Sequence, residues 1–169
     1  MFLNYWILPI LFILHDFEEM IVMPIWKKRY HEQISGMRHP YFGAVTNGQA
    51  FSVGVLEEML IFICVSIVSY VMHSDGLYLA FLIVYTLHFL MHYRMCLTFH
   101  GYVPGVASAT LELPIMIWLI ISYWQKSQMT IGRFIIFFVL AYAVMIINLR
   151  VMHKLMPNIQ TKMVVYTKR

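Results

Sequence analysis

Five apolar stretches, each about long enough to cross a membrane as a helix, follow one another along the chain with short polar breaks between them. A hydrocarbon core of about 30 Å takes roughly 20 helical residues, and the stretches near 3–26, 49–72, 77–97, 106–124 and 131–151 approach that length. The breaks carry turn chemistry: His73-Ser74-Asp75-Gly76 reads as a tight hairpin, and Tyr102-Val103-Pro104-Gly105 places Pro and Gly in turn order. Only the connection from Lys27 to about Gly48 is long, basic at first and then rich in Gly and aromatic residues. The pattern predicts an all-α, polytopic membrane bundle of about five transmembrane helices, forming a single domain over residues 1–169.

Composition strengthens this reading. The chain is 61% hydrophobic and 12% charged, against roughly half and a quarter in soluble domains, so the excess apolar surface is expected to face lipid. The formal charge of +4 does not point to nucleic acid, because the basic residues lie in loops and in the tail rather than on one binding face. Their distribution sets orientation instead. With five spans, Lys27, Lys28, Arg29, Arg38, Arg94, Arg150, Lys154, Lys162, Lys168 and Arg169 share one side, and only Lys126 and Arg133 lie on the other. The positive-inside rule then predicts an N-terminus outside, a cytoplasmic C-terminus and a multi-pass protein of the cell membrane. Met1-Phe2-Leu3-Asn4 lacks the basic start of a signal peptide, so the first stretch is expected to be kept as a helix. Cys64 and Cys96 both fall in apolar runs, which does not suggest a disulfide framework. The fourteen methionines read as soft filler between helices.

Ionisable residues inside the spans change the picture. The first stretch carries His15, Asp16, Glu18 and Glu19, the second Glu57 and Glu58, the third His88 and His92, and the fourth Glu112. A carboxylate at mid-membrane costs about 2.5–3.5 kcal/mol even on the lenient insertion scale, and the basic residues that fall within the stretches, Arg94, Arg133 and Arg150, lie close to their ends rather than beside these acids. Protons or a metal ion must supply the positive charge. At 1.5 Å per residue, Glu19, Glu57, His88, His92 and Glu112 all fall about 7–13 Å from the cytoplasmic ends of their helices. One shared layer is expected.

Local spacing suits ligation. His15 and Glu19 stand four residues apart and share a helix face, with Glu18 on its edge; His88 and His92 repeat the spacing. Two imidazoles so placed can hold one ion, although the zincin pattern is absent because Phe89 occupies its Glu position. Glu57 and Glu58 are about 100° apart around their helix, so one is expected to point inward as a ligand while the other carries protons. Imidazoles with carboxylates favour iron, zinc or manganese over calcium. The expected metal ligands are His15, Glu19, Glu57, His88, His92 and Glu112, with Glu18 or Glu58 moving protons and Tyr102 orienting a substrate head group. The plainer alternative is a set of protonated carboxylates hydrogen-bonded between helices. Asp16 suits a structural hydrogen bond equally well, and His31, His39, His73 and His153 read as surface polarity.

The string His15-Asp16-Phe17-Glu18-Glu19 is a His-x-x-Glu-Glu motif, and its setting in an apolar span resembles the HXXEE-motif family of small multi-spanning membrane proteins. The resemblance implies that His15, Glu18 and Glu19 act together, and it supplies no substrate. Histidine-box desaturases and alkaline-ceramidase-like hydrolases fit less well, since this chain has too few His clusters for the first and is shorter and richer in Glu than the second. The leading expectation is a membrane-embedded metalloenzyme with a divalent ion, iron or zinc, acting on a lipophilic substrate from the cytoplasmic leaflet by oxidation or hydrolysis. The alternatives are a transporter of divalent metal ions or protons, disfavoured by an almost uniformly apolar outer half, and a non-catalytic membrane protein with a structural metal.

Overall fold

The computed structural model describes residues 3–168, so Met1, Phe2 and Arg169 of the terminal readings lie outside the described residues. The described residues are all-helical: α1 (Ile7–Arg29), α2 (His31–Ser35), α3 (Gly48–Val71), α4 (Asp75–Phe99), α5 (Val106–Ser127) and α6 (Ile131–Tyr166). Short polar side chains start three of the long helices. Asn47 accepts from the Ala50 N–H at 2.8 Å, Ser74 from Leu77 and Thr130 from Arg133, each satisfying one of the orphan donors of a first turn. His100 and Gln128 end α4 and α5 in the left-handed conformation.

Four helices, α3, α4, α5 and α6, are long and apolar enough to cross a membrane. The fifth long helix, α1, has 23 residues but carries Asp16, Glu18 and Glu19 in its middle. Its surface is inverted relative to a helix in water. Ile10, Leu14, Phe17, Ile21 and Ile25 form an exposed apolar stripe, each at least half exposed, whereas His15, Asp16 and Glu19 are buried. Lipid around the stripe and a polar interior behind it account for that arrangement; water would reverse it.

Two boundaries depart from expectation. The long first connection contains the short helix α2. The last helix does not stop near residue 151 but continues to Tyr166, at 1.5 Å per residue about 54 Å in all and well beyond a core of about 30 Å. The extension has tertiary work to do. Met152 and Met156 are buried, the sulfur of Met156 fills the space beside Gly54, and Gln160 bonds the Thr46 N–H at 2.7 Å and the Asn47 N–H at 3.3 Å.

Helix α4 is the centre of the bundle, packing against α5, α6 and α3, while α1 packs against α3 and α5. The polar face of α1 therefore looks across the bundle at α4. Aromatic rings fill the space on one side of that gap: Phe12, Phe62, Tyr85 and Phe89 meet at centroid distances of 4.9–6.1 Å. At the far end Tyr5 and Lys126 both hydrogen-bond Asp75, at 2.6 and 2.8 Å, tying α4 to α5 and to the start of the chain.

Candidate metal centre

One turn of α1 presents His15 and Glu19, and one turn of α4 presents His88 and His92, toward a common point. The Nε2 atoms of His15 and His92 are 3.1 Å apart, and those of His92 and His88 2.9 Å. Oε1 of Glu19 lies 3.1 Å from His92 Nε2, 3.5 Å from His15 Nε2 and 3.7 Å from His88 Nε2. A tetrahedral ion with ligands at 2.0–2.1 Å would separate its donors by about 3.3–3.4 Å. These distances bracket that value.

Hydrogen bonds on the outer side of two rings fix which nitrogen faces inward. A carbonyl can only accept, so the 2.8 Å contact to Pro104 O places the His92 proton on Nδ1 and leaves a lone pair on Nε2. His15 Nδ1 lies 3.0 Å from Ser108 Oγ, and that hydroxyl lies 2.5 Å from Glu18 Oε2. With the hydroxyl proton given to the carboxylate, Ser108 Oγ accepts from His15 Nδ1–H, and His15 Nε2 is also a bare lone pair. Glu19 Oε1 is buried with no hydrogen-bond partner, as expected beside nitrogens that hold no proton for it. An unpartnered carboxylate oxygen and lone pairs converging in a buried pocket repel one another unless a cation sits among them. The donor set fits a metal ion.

Glu18, expected to move protons, has its oxygens committed elsewhere. It accepts from the backbone N–H groups of Ala107 (3.3 Å) and Ser108 (2.7 Å), from Ser108 Oγ, and from the Tyr102 hydroxyl. Those N–H groups belong to the first turn of α5, whose N-cap Gly105 has no side chain to offer. Glu18 therefore caps α5 from a neighbouring helix, where a negative charge also favours the positive end of the helix dipole. Tyr102 closes the same strap; burial and the adjacent carboxylate raise its phenol above the usual value, so it is a donor and not an acid at neutral pH. All three polar positions of the His-x-x-Glu-Glu motif thus have distinct contacts. Glu18→Gln is expected to lower stability by about 1–3 kcal/mol and metal affinity roughly 10–100-fold, measured by thermal unfolding and by competition with a chelator.

The structure brings together four of the six residues expected as ligands. Glu57 and Glu112 stand outside the group. Glu57 lies on the wall of an apolar groove with Leu60, Cys64, Val68, Phe81 and Val144, because the rotation of α3 turns its neighbour toward the bundle: Glu58 comes within electrostatic range of His88 and Glu19. Glu112 sits one turn, about 6 Å, beyond Ser108 on α5 and accepts from Tyr85 Oη at 2.9 Å. The group that could hold an ion comes from two helices, not four. Asp16, buried, faces the charges of Glu19, Glu58 and Glu112. Sequence reasoning missed Ser108, Pro104, Gly105 and Tyr85. A backbone carbonyl and a glycine carry no metal-site signal in a sequence, and Ser108 acts only because α5 starts beside α1.

The fold and the site define an all-helical bundle of membrane-type helices around a cluster of three histidines and a glutamate, buried except at His88, that could hold a metal ion. Residues 6–119 match the family described as protein of unknown function with HXXEE motif, and the chain belongs to that family. No curated protein and no solved structure matches the chain.

Proposed function

We propose that this protein is a membrane-embedded metalloenzyme that binds one transition-metal ion, iron or zinc, through His15, Glu19, His88 and His92 and acts on a lipophilic substrate. The observation that carries the metal is the convergence of four donor atoms, all within 4.8 Å of one another, on the unpartnered Glu19 Oε1. Bound there, the ion supplies Lewis acidity, or redox chemistry if it is iron. The His15 and Glu19 side chains are at most 4% exposed and that of His92 1%, whereas His88 is 41% exposed, so the centre is walled on the α1 side and open at His88. A substrate reaches it from that edge. Glu58 accepts or returns the proton in this reading, supported by its being half-buried within electrostatic range of His88 and free of the capping duty that holds Glu18. The protein sits in the cell membrane as a single multi-pass domain, N-terminus outside and Lys/Arg-rich end in the cytoplasm.

Four protein donors also complete a structural zinc site, and this favours a second reading, a non-catalytic membrane protein stabilised by its ion. Transport is less well supported, because the packed rings of Phe12, Phe62, Tyr85 and Phe89 leave the aromatic side of the cluster without a polar path. Elemental analysis of detergent-purified protein tests the proposal, with a screen for lipid hydrolysis and oxidation beside it. About one ion per chain is expected in the native protein and none in His15→Ala or His88→Ala. A stoichiometric but inert ion would select the structural reading, and protein that never takes up metal would end both.

A further inference from the structure

At the Lys/Arg-rich end of the bundle, the last turn of α1, helix α2 and the loop before α3 enclose an open cavity of about 490 Å³. Its lining includes Lys27, Lys28 and His31, and none of the lining residues is acidic. Lys27 forms the floor. It is buried, and its ammonium donates to the carbonyls of Gly43 (2.6 Å), Val45 (2.7 Å) and Phe42 (3.4 Å). Three neutral acceptors use all three of its protons yet cancel none of its charge. At neutral pH the cavity therefore has a positive floor.

Donors for a ligand stand at the rim, where Lys28 and His31 are exposed. Thr46 Oγ1 accepts from Gln160 Nε2 at 3.0 Å, which leaves its own hydroxyl proton available. The rim is held in place by the α6 extension through Gln160, and the His153 ring packs under Gly43 at 3.3 Å from where a Cβ would be. Apolar Pro24, Ile34 and Met37 complete the wall. The exposed stripe of α1 leads to this rim: Ile21 and Ile25 are 67% and 71% exposed, and Lys28 follows at i+7 on the same face.

We propose that this cavity binds the phosphate of an anionic membrane lipid, with the acyl chains lying along Ile21 and Ile25 and the headgroup held by Lys28, His31 and Thr46 over the charge of Lys27. The site is separate from the metal centre, about 12 Å along α1 from Glu19, and stands whether or not an ion is bound there.

Native mass spectrometry of the full chain in detergent tests it, titrating phosphatidylglycerol, phosphatidylcholine, glycerol phosphate and inorganic phosphate. One phosphatidylglycerol per chain is expected to bind in preference to phosphatidylcholine. Lys28→Gln is expected to weaken it roughly fivefold and Thr46→Val to weaken it as well. Arg29→Gln, whose guanidinium lies over the Tyr30 ring and outside the cavity lining, should weaken binding clearly less than Lys28→Gln. Lys28 and Thr46 are exposed, so unchanged thermal unfolding confirms that each variant is folded. Equal losses in Lys28→Gln and Arg29→Gln would mean diffuse surface attraction and overturn the site. Equal affinity for the two lipids would do the same, and glycerol phosphate or inorganic phosphate binding as tightly as the lipid would overturn the lipid assignment in favour of a soluble phosphate.

Discussion

Replacing His92 with alanine is expected to strip the ion from the purified protein and to lower stability by about 3–5 kcal/mol, the scale of a buried charge left without its partner. His92 is the hub of the cluster. Its Nε2 lies 2.9–3.1 Å from His88, His15 and Glu19, and its Nδ1 ties α4 to Pro104. Without it the ion is not held, so the buried Glu19 carboxylate loses its counter-charge, and the α4–α5 loop loses a carbonyl bond. Thermal unfolding with and without a chelator separates these contributions. Chelation should destabilise the native protein markedly and leave His92→Ala almost unaffected, since that variant has no ion to lose. A native protein indifferent to chelators would contradict an ion at this cluster.

The second large effect is expected at a residue with no chemistry of its own. Gly105 has φ +83°, and a Cβ there would meet His92 Cε1 at 2.5 Å, His92 Nδ1 at 2.8 Å and Glu19 Oε1 at 2.9 Å. Those atoms cannot retreat easily, because the His92 ring is buried and pinned to Pro104. Gly105→Ala therefore combines a left-handed backbone that disfavours a side chain, about 1–2 kcal/mol, with overpacking of about 1–3 kcal/mol, and it pushes two donors off their positions. Loss of most of the bound metal and a lower unfolding temperature are expected together. Gly132→Ala is the control: a Cβ there has open space, near the start of α6, and the change should be neutral or stabilising by up to about 1 kcal/mol. If the two variants behaved alike, the close approach of the α4–α5 turn to the centre would be wrong.

Much of this was readable in the residues. Apolar runs near bilayer length, with the His73–Gly76 hairpin and the Tyr102–Gly105 turn between them, mark the helices because hydropathy and turn chemistry are local properties. His15 with Glu19, and His88 with His92, were identifiable as pairs because four residues make nearly a whole helical turn, so their side chains share a face wherever the helix ends up. The charge distribution similarly suggested which end of the bundle is basic.

Other assignments depended on quantities that no single helix contains. Glu57 and Glu58 are equivalent by spacing, and only the rotation of α3 against α1 and α4 brings Glu58 near His88 while Glu57 lines the groove. Glu112 lay in the expected layer by counting, but the position of α5 puts Ser108 beside His15 and leaves Glu112 with Tyr85. Glu18 looked like a spare acid until the start of α5 arrived with two N–H groups and no capping side chain. The fifth apolar stretch ended near residue 151 by hydropathy, yet the helix continues and braces the loop that forms the basic cavity.

The amino-acid sequence by itself determined that the chain is helical, membrane-like and burdened with acids and imidazoles that need a counter-charge, because those facts follow from composition and from spacing along one helix. Only the tertiary structure decided which four donors meet, which carboxylate caps a helix and which backbone carbonyl orients a ring. The physical reason is that a helix fixes the angles between its own side chains, whereas its rotation, depth and neighbours are set by packing against the others.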